Sequence, residues 1–200
     1  MAWGKNGTPN TLTSTSSSLD ITDLTANQFG IQLVHAFHTA SLFHYGRLDG
    51  NSGSNYSLRS SALGASDTTA VNQDKYYIGD STSANDEFSV AYIANISGKE
   101  KLIIGHAMGR NTAGAGNAPR RREHVAKFTV TTGQVTEYNS VVSTSTFATD
   151  SNISALGSDL TPAAAVPGLG ANLQNGSRYE ETDTRKMYNW SGSAWEEIGA

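Results

Sequence analysis

Phe88-Ser89-Val90-Ala91-Tyr92-Ile93-Ala94-Asn95-Ile96 decides the fold class. Its apolar residues recur at every second position, with Phe88, Val90, Tyr92, Ala94 and Ile96 on one face, the period of a strand rather than a helix. Ser97-Gly98-Lys99-Glu100 is a polar turn, and Leu102, Ile104, His106 and Met108 then alternate again, so the two runs predict an antiparallel hairpin. Downstream, Glu123 to Thr132 places His124, Ala126, Phe128 and Val130 inward and Lys127 and Thr129 outward. Thr132-Gly133 turns this run into Val135 to Val142, which predicts a second hairpin. Upstream, Leu19 and Ile21 mark a short strand, and Phe29 to Phe37 is apolar on both faces, as a central strand should be. No stretch has helical spacing beyond one possible turn between Asp20 and Phe29. The prediction is an all-β, antiparallel β-sandwich, jelly-roll-like, with an extended N-terminal arm and a C-terminal β-hairpin.

Composition agrees with many short strands. The 200 residues contain 24 Ser, 21 Thr and 20 Gly, so the core must be assembled from short apolar runs between turns. The absence of cysteine excludes a disulfide scaffold, a thiol nucleophile and thiolate metal ligands. A net charge of −4 argues against nucleic acid as a partner. No apolar run reaches the roughly 20 residues of a membrane helix, and the first residues lack the pattern of a secretory signal, so neither membrane insertion nor Sec export is expected.

Four segments are expected along the chain. Residues 1–18, with Trp3 near the start and a Thr/Ser tract behind it, form an extended arm that docks on its own domain or reaches a neighbouring subunit. Residues 19–160 form the sandwich. Residues 161–177, containing the uncharged run Pro162-Ala163-Ala164-Ala165-Val166-Pro167-Gly168-Leu169-Gly170, form a linker or a strap lying on another surface. Residues 178–200 form a hairpin of two aromatic strands around Ser191-Gly192-Ser193, and such a hairpin needs a surface to pack on.

Chemistry-bearing motifs are weak. His35 and His38, three apart on a strand, point to opposite faces and cannot share an ion, and no compact Asp/Glu/His cluster is legible, so no metal site and no cofactor are expected. His106 and His124 both fall on rows expected to face inward as core or interface histidines. Asp49-Gly50-Asn51-Ser52-Gly53-Ser54-Asn55-Tyr56 is a turn that lacks the spacing of an EF-hand calcium loop. Adjacent carboxylates such as Asp86-Glu87 diverge and make no acid–base pair, there is no Gly-x-Ser-x-Gly elbow and no phosphate loop, and an enzyme is not expected. Arg120-Arg121-Arg122 is the dense positive run, read as a salt-bridged subunit contact or a solvated strand entry. Tyr45, Tyr56, Tyr76, Tyr77, Trp190 and Trp195 are aromatics that either stack on sugar rings or pack between sheets or subunits.

Asp49 to Ser57, the central hairpin and Asp150-Ser151-Asn152-Ile153-Ser154-Ala155-Leu156-Gly157-Ser158-Asp159 together resemble β-sandwich structural proteins of tailed phages and related prokaryotic viruses. Those proteins carry an Asn-Gly-Asp-x-Gly-x-Asn-Tyr loop, here altered to Asp-Gly-Asn-Ser-Gly, and a closing Gly-Ser-x-Ile strand, here begun Asp-Ser. The tail from Tyr179 to Tyr188, closing on Trp195-Glu196-Glu197, is similar to a terminal hairpin that recurs in viral structural proteins. The resemblance covers residues 20 to 200 and supplies no catalytic residue. It implies a virion component, assembled in the host cytoplasm, whose partners are copies of itself and other virion proteins. Trp3, Pro162, Pro167 and Arg120 to Arg122 are then the expected assembly contacts. The alternative is a receptor-binding module of a phage spike or fibre that holds a host-surface glycan through Tyr56, Trp190 and Trp195.

Overall fold

A computed structural model describes residues 3–40, 43–79, 86–159, 176–181, 185–191 and 194–198. The chain divides into two compact units, Met1–Leu160 and Thr161–Ala200. Among the described residues every regular element is a strand.

The first unit contains β1 (Gly4–Lys5), β2 (Asn10–Thr11), β3 (Ser18–Ile21), β4 (Phe29–Phe37), β5 (His44–Leu48), β6 (Tyr56–Ala62) and β7 (Thr68–Gln73). They are followed by β8 (Tyr76–Tyr77), β9 (Asp86–Ala94), β10 (Lys101–Gly109), β11 (Arg120–Phe128), β12 (Tyr138–Val142) and β13 (Asn152–Ser158). A broad antiparallel sheet runs β1-β13-β4-β9-β10-β11-β6-β7, with β2 also on β13, and a narrow one runs β3-β12-β5-β8. The chain passes repeatedly from one layer to the other, as in a jelly roll. The hairpin expected from Phe88 onward is β9–β10, with Ile103 opposite Ile93 and Ile104 opposite Tyr92. Phe29 to Phe37 is central in the broad sheet, between β13 and β9.

Two expectations are corrected and one open alternative is decided. β11 and β12 do not form a hairpin: β12 pairs with β3 and β5, and the loop between them carries the chain across to the narrow layer. That loop is held by Asn95, whose Oδ1 accepts from Val135 N at 2.7 Å while its Nδ2 donates to Val135 O and Asn27 O at 3.0 Å. The N-terminal segment is extended, as expected, and of its two alternatives it takes docking on its own domain. β1 and β2 pair with β13, Asn6 N donates to Ala155 O, and the buried Asn6 side chain exchanges two hydrogen bonds with the backbone of Thr25. The second correction concerns facing. In β9 and β10 the inward row is Glu87, Ser89, Ala91, Ile93 and Ile103, Gly105, Ala107, which turns the larger residues of the same strands, His106 included, to the outside.

The small inward residues allow rings to enter. A Cβ at Gly105 would overlap the imidazole of His124, and one at Gly30 would overlap the hydroxyl of Tyr138, which reaches the broad sheet from β12. Around these rings Leu19, Ile21, Leu48, Ile78, Val34, Ile93, Ile103, Phe128 and Ile153 are buried as one cluster, each worth about 1.5–3 kcal/mol against exposure. Lys101 is also buried, and its ammonium donates to the carbonyls of Ile96, Lys99 and Gly133 at 2.8–2.9 Å, which closes the turn side of the β9–β10 hairpin.

The second unit contains β14 (Arg178–Glu180), β15 (Met187–Trp190) and β16 (Trp195–Ile198) in that order. The expected hairpin is β15–β16, and β14 adds a third strand to it. Pro162 and Pro167, and with them residues 161–175 of the expected strap, lie outside the described residues.

Because β1 and β2 complete the hydrogen bonds of β13, a chain starting at Ser17 should lose on the order of 3 kcal/mol, from several bonds at about 1 kcal/mol each. The expected fall in thermal midpoint is on the order of 10 °C by calorimetry. An unchanged midpoint would show that the segment contributes nothing to the fold.

Candidate functional site

Chemistry concentrates in three places, each produced by the two-residue period of a strand. The first is the outer face of the broad sheet. Phe88, Tyr92, Leu102, Ile104, Met108 and Val125 are each between 46 and 57 % exposed. Ile104 lies between Tyr92 on β9 and Val125 on β11, and Met108 lies opposite Phe88 beyond His106, joined to the others along β9 by Val90. Trp3, brought alongside by β1, lines a hollow of about 330 Å³ with Phe29, Tyr92, Leu102 and Ile104. The outward row of β11 continues on either side of Val125 with Arg121 and Glu123, paired at 3.4 Å, and with Lys127, paired to Glu100 at 3.1 Å.

The arginine run does not form one patch, because neighbours on a strand face opposite ways. Arg121 is exposed on this outer face. Arg122 points inward, is buried, donates to Ser60 Oγ at 3.1 Å and stands 4.5 Å over the ring of Tyr77.

The second place is the C-terminal sheet. Tyr179 is opposite Tyr188 and Trp190 is opposite Trp195, so all four rings share one face. Trp195 lies 5.4 Å from Trp190 and 5.9 Å from Tyr179, centroid to centroid. Tyr179, Glu181, Tyr188 and Trp195 line a hollow of about 350 Å³. Tyr56, expected with these aromatics as a sugar contact, is instead fully buried. Its ring stacks on Phe128 at 4.8 Å, Leu48 N donates to its hydroxyl at 2.9 Å, and burial raises its pKa. Tyr76 is likewise in the core, donating to Gln32 Oε1 at 2.9 Å, while Tyr45 and Tyr77 stack on each other at 5.3 Å.

The third place is a buried polar cluster where the two layers meet. His38 and His35 do diverge, as their spacing requires, but His38 meets His44 and Glu87, and one donor atom from each of these three lies within 4.8 Å of the others. The expectation that no compact Asp/Glu/His cluster exists is therefore corrected. The three residues are 5 %, 0 % and 1 % exposed. His44 Nδ1 and Glu87 Oε1 are 3.1 Å apart, whereas both ring nitrogens of His38 and Nε2 of His44 have no hydrogen-bond partner. Each such buried polar atom costs about 1–3 kcal/mol. Burial, and then the neighbouring His44, lower the pKa of His38 to about 4. The histidine spacing gave no sign of this cluster, because His44 and Glu87 reach His38 from other strands.

The Asp49 turn is a turn, as expected. Asp49 Oδ1 accepts from Thr136 N and Glu137 N at 2.8 and 3.0 Å, and Asn51 Oδ1 accepts from Gly53 N at 3.0 Å.

His124 shows how acid should act on the core. Its burial, with His106 and Arg122 next in effect, lowers its pKa from 6.5 to about 3. The unfolded chain therefore binds a proton that the folded chain refuses, and stability present above the unfolded pKa is lost as the pH falls from 6.5 towards 3. In urea denaturation below pH 6.5, His124→Asn should reduce the slope of stability against pH by about 1.4 kcal/mol per unit. An unaltered slope would mean that His124 is protonated in the fold. Neither a protein-family model nor a curated protein matches this chain.

Proposed function

We propose that this chain is a structural protein of a virion, capsid-associated as a decoration protein or as a vertex or tail component, that acts by assembling with copies of itself through the outer face of β9, β10 and β11. The observation that carries the reading is the contiguous apolar row from Phe88 to Val125 at the centre of that face. Half-exposed side chains of this size present on the order of 500 Å² of apolar surface, the upper end of what a monomer leaves in water. That area matches the apolar share of the ~800 Å² that each partner contributes to a standard interface.

A second copy suits the face because the outward row of β11 carries both signs, with Arg121, Glu123 and Lys127 around an apolar centre. Charges of both signs at the rim let a second copy set opposite charges together, in a closed ring of three or five subunits as well as in a dimer. Trp3, next to β1, adds an aromatic anchor to the same face. The virion setting rests on the resemblance. The segments behind it form the turn into β6 and strand β13, and the tail motif forms the three-stranded unit.

A second reading has its own observation. The hollow between Tyr179, Tyr188 and Trp195, with the Glu181 carboxylate beside the rings, suits a sugar: flat apolar walls for the ring face and an acceptor for its hydroxyls. Such a receptor-binding role and the structural role are compatible in one virion protein.

Sedimentation velocity tests assembly. The wild-type chain should run as an oligomer, and Ile104→Asp, at an exposed position, should run as a folded monomer. A monomeric wild type, or an Ile104→Asp oligomer, would refute the face. Quantitative mass spectrometry of purified particles tests the virion setting, and absence of the chain would sink it. On a glycan array, binding that vanishes in Trp195→Ala and persists in Tyr56→Phe is the result the receptor-binding reading expects. No binding by the wild type would remove that reading.

A further inference from the structure

We propose that His38, His44 and Glu87 form a binding site for one zinc-class divalent ion that clips the two layers of the sandwich together. The backbone builds the site from three separate segments. Glu87 is opposite Ala36 in the β4–β9 pair, so His38, two residues beyond Ala36, comes next on the same inward face of the broad sheet. His44 opens β5 in the narrow sheet, and its carbonyl accepts from both Ile78 N and Gly79 N at 3.1 Å, which fixes the backbone that carries the imidazole. Gly79 also makes room for the acid, since a Cβ there would overlap the Glu87 carboxylate. Phe147, itself fully buried, walls the cluster with its ring 5.6 Å from that of His38 and 5.2 Å from that of His44.

The donor set selects the ion. Two imidazole nitrogens and one carboxylate oxygen suit zinc and its transition-metal neighbours, whereas calcium and magnesium take oxygen. Donors of a tetrahedral zinc ion at ~2.0–2.1 Å stand roughly 3.3 Å from one another. His44 Nδ1 and Glu87 Oε1 are already 3.1 Å apart, and the most distant pair of donor atoms is within 4.8 Å, so closure needs a shift of ~1.5 Å. An independent sign is that both nitrogens of His38 sit in the interior without a partner, which an ion would supply to one of them. In a chain without cysteine, such an ion takes the place of a covalent cross-link between layers.

The test uses the full-length, untagged chain stripped with chelator and then titrated with Co²⁺ and Zn²⁺. One Co²⁺ per chain should bind with the visible ligand-field bands of a low-coordinate site, Zn²⁺ should displace it, and Zn²⁺ should raise the thermal midpoint. His38→Gln and Glu87→Gln should each weaken binding at least tenfold. The double variant His35→Ala/His106→Ala, which removes the two exposed histidines, should bind as the wild type does. A folded wild-type chain without ligand-field bands, or binding lost in the His35/His106 variant, would overturn the site even if the buried-residue variants fail to fold.

Discussion

The close approach of the two layers depends on rings seated over glycine. Tyr138 reaches from the narrow sheet to Gly30, and His124 lies across Gly105 within the broad sheet. A methyl group at either glycine would occupy space the ring already fills, and a packed interior cannot give by that much without moving a strand. The inner face of the broad sheet is therefore made of small residues at its centre, and the bulk comes from across the layer or from the next strand. Of the larger apolar residues on β9 and β10, Ile93 and Ile103 are inside, and Phe88, Tyr92, Leu102, Ile104 and Met108 stand on the outward row. The buried core and the exposed apolar face are thus two results of one packing constraint.

That constraint also explains which parts of the fold were legible in the sequence. The period of two located the strand from Phe88, the β10 run and the β11 run, because alternation survives whichever face is buried. It did not reveal the face. Phe88, Tyr92, Leu102, Ile104 and Met108 are the more hydrophobic row, and hydrophobicity alone sends that row, with His106, to the core. Gly105, on the reversed row, is filled by a residue distant in sequence, His124. The same distance hid the polar cluster. Local spacing correctly separated His35 from His38, but the approach of His44 and Glu87 depends on the register of β4 with β9 and on the packing of β5.

The sequence left the docking of the N-terminal segment open and misplaced Tyr56 for related reasons. A Thr-rich segment with two glycines and a proline has the composition of a loose terminus, yet β13 has an edge to satisfy, and backbone groups bind it without any side-chain signal. Tyr56 follows a turn rich in Asn and Gly, which reads as exposed, but it is the first residue of a strand and faces inward with Phe128.

The edges of the broad sheet carry a consequence for how this chain behaves when crowded. On one side the outermost elements are two strands of only two residues, separated by Gly7 at a positive φ of 70° and by Pro9, which has no N–H to offer. On the other side β7 is polar, meets β6 through a register shift, and carries Asn72 in a left-handed conformation at φ 54°. Neither edge presents the long, flat, regular row of backbone groups that recruits another strand. Fibrillar growth by strand addition is disfavoured at both ends, which leaves the side chains of the face as the better surface for a neighbour. Recognition by side chains has a fixed geometry and a finite number of partners, whereas an open ladder has neither.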